Sequence, residues 1–452
     1  MLRKKRKNVA IFVGISMLML ASCKTENAAR TNTSEATLIP SQEAITSLEP
    51  LEENSALEWT KDLESIKTTL MTTRGVTEHL SAKKIETQMD EIIRDAKEHK
   101  IDMTTAYYRV KNVISELHCA HMYIEKNEDA EDSINTKCLG IGFEWFGNDL
   151  RIVYCLENTK EYLGWKVNKI AGRSIEEAVD LFASINSYET LTGKKRFLTQ
   201  ILRESELQYL GMLNSTGDGV ELTVQNDDGK EQKILVEMVT DTSEIKYYYR
   251  NYAENLSIFE QNLFKQQNYS YVGDEQNHTM FFLYLSCYDM KEYSFMNCFT
   301  DMMNEIKSNL KYKNLVIDVS HNGGGNRILM LDAIQKYRED LKDINISIII
   351  GKDTHSAAFQ LIADYLANFE HVKLYGEETG QAIHHYTETR QVALSNMNLT
   401  LVVPTTCGDE KILFDRYKDS SRGILPDVEV YRTYEDSING VDTIYERILQ
   451  DN

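Results

Sequence analysis

Apolar residues recur three and four positions apart in three stretches of the N-terminal half. Trp59, Leu63, Ile66 and Leu70 fall on one helical face, as do Ile85, Met89, Ile92 and Ile93, and then Tyr107, Val110, Val113, Ile114 and Leu117. This spacing predicts a helical cap over 56–125. Over 138–240 the period shortens to that of strands. Segments 139–143 and 150–154 predict a hairpin around 147–149, and 221–225 and 233–237 pair across 226–229. A helix is expected between them, at 174–181. Within 241–450 strand-like and helix-like runs alternate: strands at 281–286, 315–319, 344–350, 372–375 and 399–403, helices at 295–310, 328–337 and 356–367. Such alternation predicts an α/β core with a largely parallel sheet, whose chemistry gathers at strand ends.

The first residues follow another logic. Five basic residues (Arg3 to Lys7) precede an apolar run over 9–20, too short to span a bilayer comfortably, where roughly 20 apolar residues are needed. The run ends in Leu20-Ala21-Ser22-Cys23. Residues 1–23 therefore read as a secretory signal peptide, and the Cys after Leu-Ala-Ser resembles a lipobox, with Cys23 as the lipidation site. Segment 24–55, rich in Thr, Ser, Glu and Ala and without apolar periodicity, reads as a disordered tether. The expected location is extracytoplasmic, anchored to a bacterial membrane by lipid.

Charge narrows the partners. With 70 acidic against 50 basic residues the formal net charge is −20, which argues against nucleic acid and against a polybasic grip on anionic lipid. The six cysteines after Cys23 are scattered, with no Cys-x-x-Cys and no Cys/His cluster at zinc spacing. They read as buried thiols, and neither a metal nor a cofactor is expected.

Two loops in the C-terminal half carry candidate chemistry. In the first, Asp318-Val-Ser-His-Asn-Gly-Gly-Gly-Asn326 follows a buried strand, and its glycines free backbone N–H groups to face a ligand. It reads as an oxyanion hole or as a structural turn. In the second, Thr354-His-Ser-Ala-Ala358 places Ser356 where a strand gives way to a helix. Ser356 is either a helix cap or a nucleophile aided by the helix dipole, with the Ala357 N–H as an oxyanion donor. Further upstream, Gly164-x-x-Val-x-x-Ile-x-Gly172 before a helix resembles the phrase beside a PDZ peptide groove, and 138–240 is expected to be a PDZ-like module.

The order of four motifs points further. Leu315-Val-Ile-Asp-Val with Asn322-Gly-Gly-Gly325, then Thr354-His-Ser-Ala-Ala358, then Val372-Lys-Leu-Tyr-Gly-Glu-Glu-Thr-Gly380, then Gly423-Ile-Leu-Pro-Asp-Val-Glu-Val430 resembles the C-terminal processing (tail-specific) serine peptidases. The resemblance implies a Clp-protease/crotonase-like catalytic core beside a PDZ domain, with Ser356 as nucleophile and Gly324 at the oxyanion position. One branch of that family takes a Lys as base shortly after the Gly-Glu-x-Thr phrase, where this chain has Gly380-Gln381-Ala382. The other, tricorn-core-like branch takes a His from a Leu-x-Asp-x-His phrase ending an N-terminal helix. Leu117-His-Cys-Ala-His121 matches that phrase at His121, with Cys119 in place of the Asp. Ser320 stands where the family commonly has Arg, and His355 where an apolar residue is usual. Asp415 and Asp419 are candidates for the acid that orients the base, and neither is assigned. The expected function is a membrane-anchored serine endopeptidase that cleaves polypeptides through a Ser/His acyl-enzyme. Ser320 and Cys119 favour the alternative, a catalytically silent peptide- or ligand-binding lipoprotein of the same fold.

Overall fold

The computed structural model describes residues 55–78, 80–127, 137–240, 248–249, 256–263, 265–309, 311–408 and 410–452. Cys23, the leader and the tether lie outside the described residues. Three helices come first: Ser55–Thr72, Ala82–Lys97 and Met103–Ser115. The Ser81 hydroxyl accepts the Lys84 N–H, and Asp102 accepts that of Thr105, so the second and third helices begin on capped turns. The residues of the helical stripes, among them Leu63, Ile66, Leu70, Ile85, Met89 and Val113, are buried. Part of what covers them comes from far along the chain. A three-stranded antiparallel sheet carries Leu399–Cys407 at its centre, flanked by Tyr123–Lys126 and Tyr386–Leu394. Its Leu394, Leu399, Leu401 and Val403 pack among the helices.

This corrects the placement of 399–403, expected in the parallel sheet. The run is a strand, but it forms a hairpin with Tyr386–Leu394. A hairpin needs only a short turn, whereas joining a parallel sheet needs a crossover, and here the apolar face meets the cap helices instead. Periodicity reports a strand without reporting its sheet.

The central sheet has six strands in the order Tyr269–Asp274, Thr279–Tyr284, Asn314–Asp318, Asn345–Ile350, Val372–Gly376, Val428–Glu429. The first pair is antiparallel and the remaining pairings are parallel. Helices Phe295–Ser308, Ile328–Leu341 and Ala357–Asn368 make the crossovers. One face (Phe282, Tyr284, Ile317, Ile348) packs on these helices, while the other (Phe281, Leu283, Val316, Ile349) packs on Ile444, Tyr445 and Ile448 of the last helix, Thr443–Asp451. Burial on both faces explains why these strands read as continuous apolar runs.

Between cap and core lies an antiparallel sheet built on Lys137–Leu139, Ile141–Phe146, Asp149–Cys155, Lys166–Ile170, Gly219–Gln225 and Glu231–Thr240. Helix Ile175–Ala183 packs on it, opened by a reciprocal capping box between Ser174 and Glu177. After this helix the chain leaves the sheet and runs against both the cap and the core. Ser115 Oγ and Asn112 Nδ2 donate to Ser184 O, and Thr190 Oγ1 donates to Thr379 O at 3.1 Å. Among the described residues no helix is long and apolar enough to cross a membrane.

Candidate active site

Ser356 stands between strand Asn345–Ile350 and helix Ala357–Asn368. Thr354 fixes the turn before it: its hydroxyl accepts the Gly351 N–H (3.0 Å) and donates to Val319 O (2.9 Å). Ser356 itself has φ +53° and ψ −124°, and its side chain makes no capping hydrogen bond. A positive φ at a residue with a Cβ costs on the order of 1–3 kcal/mol and persists only where its surroundings enforce it. Gln381 is part of that enforcement, its Oε1 accepting the Ser356 N–H at 2.6 Å. The hydroxyl is left half-buried on the wall of a cleft. Among the described residues no acceptor is found for the N–H of buried Ala357, in the first turn of the helix, whose end carries the positive pole.

The glycine loop is organised by buried Asn322. Its Nδ2 donates to Tyr284 O (2.9 Å), its carbonyl accepts the His355 N–H (3.0 Å), and its Oδ1 accepts the Gly324 N–H (2.8 Å). Gly324 is buried at φ +104°, and a Cβ there would lie 2.6 Å from Ser356 Cβ and 2.9 Å from His355 O. The position must be glycine because the Ser356 turn packs directly upon it. The Gly324 N–H, the expected oxyanion donor, is hydrogen-bonded to the Asn322 side-chain oxygen in this structure. Beside this loop Arg432, near the C-terminus, donates to Ser320 Oγ (3.3 Å) and to buried Asp318 (2.5 Å).

His121 lies in the turn between the third helix and strand Tyr123–Lys126. Its side chain lines the same cleft as Ser356, the three glycines and His355, a cavity of about 430 Å³. The Nδ1 atom is buried without a hydrogen-bond partner. Burial, assisted by the charges of His385 and Arg196, pulls the imidazole pKa down to about 4. His121 is therefore neutral at pH 7 and able to accept a proton. Cys119 nearby is a buried thiol whose pKa burial pushes up, so it supplies no negative charge in place of an Asp. His355 is buried with Nε2 unpartnered, and burial pulls its pKa well below the usual value. Asp415 and Asp419 are exposed and stand outside the cleft lining, Asp419 being bound to Ser421.

Four side chains of the site escaped the sequence reading. Gln381 has been described. Buried His385, whose charge acts on His121, has its Nδ1 3.0 Å from Ile383 O and its Nε2 3.8 Å from buried Glu410. The fourth is Glu189, on the segment that leaves the β-rich sheet. One carboxyl oxygen accepts the Ala120 N–H and the other the Ala382 N–H, each at 3.0 Å. Glu189 thus clamps the residue before His121 to the residue after Gln381. The side chain is only partly buried, yet the carboxyl is wedged between two loops, and loss of water there pushes its pKa up to about 8. Neighbouring elements separated by nearly 200 residues meet here, and no local pattern signals such a meeting.

Neither a family model nor a curated protein sequence matches the chain. Comparison with solved structures does find its fold. The structure of mature CPAF complexed with lactacystin superposes with a TM-score of 0.59 over 88% of this chain and 98% of that one, at 10% identity. Mature CPAF alone gives 0.59 over 88% and 96%, at 11% identity. The photosystem II D1 C-terminal processing protease aligns over 87% and 99% at 10% identity, with a TM-score of 0.40. The CPAF structures are close enough to define the fold: this chain has the CPAF architecture, a mixed helix-and-sheet fold with a helical N-terminal region and several sheets.

Proposed function

We propose that the chain is a serine peptidase that cleaves polypeptides. The observation that carries this reading is Ser356: a strained, uncapped serine at a strand-to-helix turn, on the wall of a cleft shared with a neutral histidine and next to an open helix N–H. A serine that only caps a helix has no need of positive φ and accepts an N–H from its own first turn. In the proposed cycle His121 takes the Ser356 Oγ proton as the oxygen attacks the peptide carbonyl. The oxyanion develops against the Ala357 N–H and the glycine loop, where the Gly324 N–H joins once Asn322 releases it. His121 returns the proton to the leaving amine, and water then cleaves the acyl-enzyme. The base assignment follows the tricorn-core-like branch, the central sheet a Clp-protease/crotonase-like core, and the antiparallel sheet with its helix a PDZ-like module. A lipid on Cys23 would hold this machinery outside the bacterial membrane.

A silent binding protein of the same fold is favoured by two observations, the Gly324 N–H occupied by Asn322 and the neutral thiol at Cys119. Fluorophosphonate labelling separates the readings. Labelling confined to Ser356, absent in Ser356→Ala and slowed in His121→Ala, supports the peptidase. A parent protein that neither labels nor cleaves any of a broad peptide panel supports the binder.

A further inference from the structure

The chain carries 70 acidic and 50 basic residues, yet the residues lining the catalytic cleft include Lys111 and Arg196 and no Asp or Glu. Lys111 already faces Glu206 at 3.5 Å. Arg196 is different. Among the described residues its side chain forms no ion pair and no hydrogen bond: the guanidinium stands 5.9 Å from the Phe197 ring centroid, and its Nε is buried without a partner. Its backbone is well held: Trp145 Nε1 donates to Lys195 O and Thr199 Oγ1 to Arg196 O, each at 2.9 Å. The guanidinium therefore projects from a fixed turn rather than from a mobile loop.

The carboxyls that could answer it are engaged elsewhere. Glu189 is tied to two backbone N–H groups, and Asp353 faces Lys352 at 3.8 Å. Ile114, Ile124, Ile185 and Phe197 on the same walls lower the local dielectric. Arg196 is half-buried, its Nε enclosed and unpaired, and a carboxylate would meet its planar fork with two parallel hydrogen bonds.

We infer that Arg196 binds a carboxylate of the substrate inside the catalytic cleft, and so selects polypeptides with an acidic side chain or a free C-terminus beside the scissile bond. The assignment rests on the peptidase reading for its substrate class. It has a chemical consequence. Arg196 is one of the charges that hold the His121 pKa down. A bound carboxylate cancels that charge, so the substrate itself strengthens the base that attacks it.

The test measures binding apart from catalysis. Calorimetry with Ser356→Ala protein compares unstructured peptides that differ only by Asp or Glu against Asn or Gln, or by a free against an amidated C-terminus. The carboxylate member of one pair is expected to bind roughly ten- to a hundredfold tighter, and which pair shows the gap names the source. Adding Arg196→Gln should bring the ratio close to one, and Arg196→Lys should keep part of it. Melting temperatures show whether each variant is folded, and if Arg196→Gln is not, the partial loss in Arg196→Lys decides. Equal binding of both matched pairs, no binding of any carboxylate peptide, or a gap that survives in folded Arg196→Gln overturns the inference. Fluorophosphonate labelling of the parent runs alongside. A carboxylate preference without labelling keeps the Arg196 site and removes the peptidase, and labelling without the preference does the reverse.

Discussion

Gln381 Oε1 accepts the backbone N–H of Ser356 at 2.6 Å. A side chain 25 positions further on thus holds the turn that lifts the serine to φ +53°. Gln381→Leu leaves that N–H without its acceptor and should cost about 1–3 kcal/mol of stability. It should also slow fluorophosphonate labelling by more than the melting shift explains, because the hydroxyl loses its fixed aim. Labelling at the parent rate in a folded Gln381→Leu protein would show that other contacts hold the turn.

Ser356 caps nothing, so Ser356→Ala should change the melting temperature little while peptide hydrolysis disappears. Ser356→Gly makes the sharper case. Glycine tolerates positive φ, and the variant should gain on the order of 1 kcal/mol in stability while equally inactive. A more stable, inactive protein would be the mark of strain stored at a functional residue. Destabilisation of both variants by the 0.5–2 kcal/mol typical of a lost cap would return Ser356 to a structural role.

Gly324→Ala drives a methyl to within 2.6 Å of Ser356 Cβ at a backbone φ of +104°. Both effects push the glycine loop off the Ser356 turn. Activity should be lost together with stability. At Gly323 a Cβ meets nothing within 4 Å, and Gly323→Ala should be far milder on melting. Equal effects at the two positions would contradict the close approach described here.

Stability should depend on pH from both sides. The His121 pKa is lowered to about 4 from the usual 6.5. Between those values the unfolded chain binds more protons, so stability falls as pH drops from 6.5 toward 4, and the lowered pKa of His355 steepens the fall. Glu189 has the opposite sense. Its pKa is raised to about 8 from 4.5, the folded chain holds the extra proton, and stability falls as pH rises from 4.5 through 8. Urea melts across pH 3 to 9 should therefore give a plateau with two falling limbs. Glu189→Gln should flatten the alkaline limb and His121→Gln the acid one. An alkaline limb unchanged by Glu189→Gln would disprove the raised pKa.

Cys23 is expected to carry the membrane anchor. Cys23→Ala should appear in the soluble fraction of the producing cell, because the formal net charge is −20 and among the described residues no helix is long and apolar enough to cross a membrane. Retention at the membrane with normal processing would exclude the lipid.

Much of the element pattern was legible. The three cap helices follow from apolar spacing, and most core strands from apolar runs bounded by turn residues. Where the reading slipped, the cause was pairing rather than propensity. Leu399–Cys407 is a strand as expected, but its partners are Tyr386–Leu394 and Tyr123–Lys126, and the latter lies some 275 residues away in sequence by Cα register, Ile124 opposite Leu401. The stretch between helix Ile175–Ala183 and strand Gly219–Gln225, for which the sequence offers no element, is the segment that brings Glu189 and Arg196 to the site.

The sequence by itself determined the three cap helices, the strands and crossover helices at the centre of the core, the strand-to-helix turn at Ser356 and the glycine loop, because these depend on local periodicity and on backbone conformations that few residues adopt; it did not show strands Tyr123–Lys126, Tyr269–Asp274 and Tyr386–Leu394. Only the tertiary structure decided that His121 shares a cleft with Ser356, that Asn322 takes the Gly324 N–H, that Arg432 fills in beside Ser320, and that Gln381 and Glu189 tie the two loops together. Hydrogen bonds and charges act through a few ångströms of space, and residues far apart along a chain carry no mark of the neighbours that folding will give them.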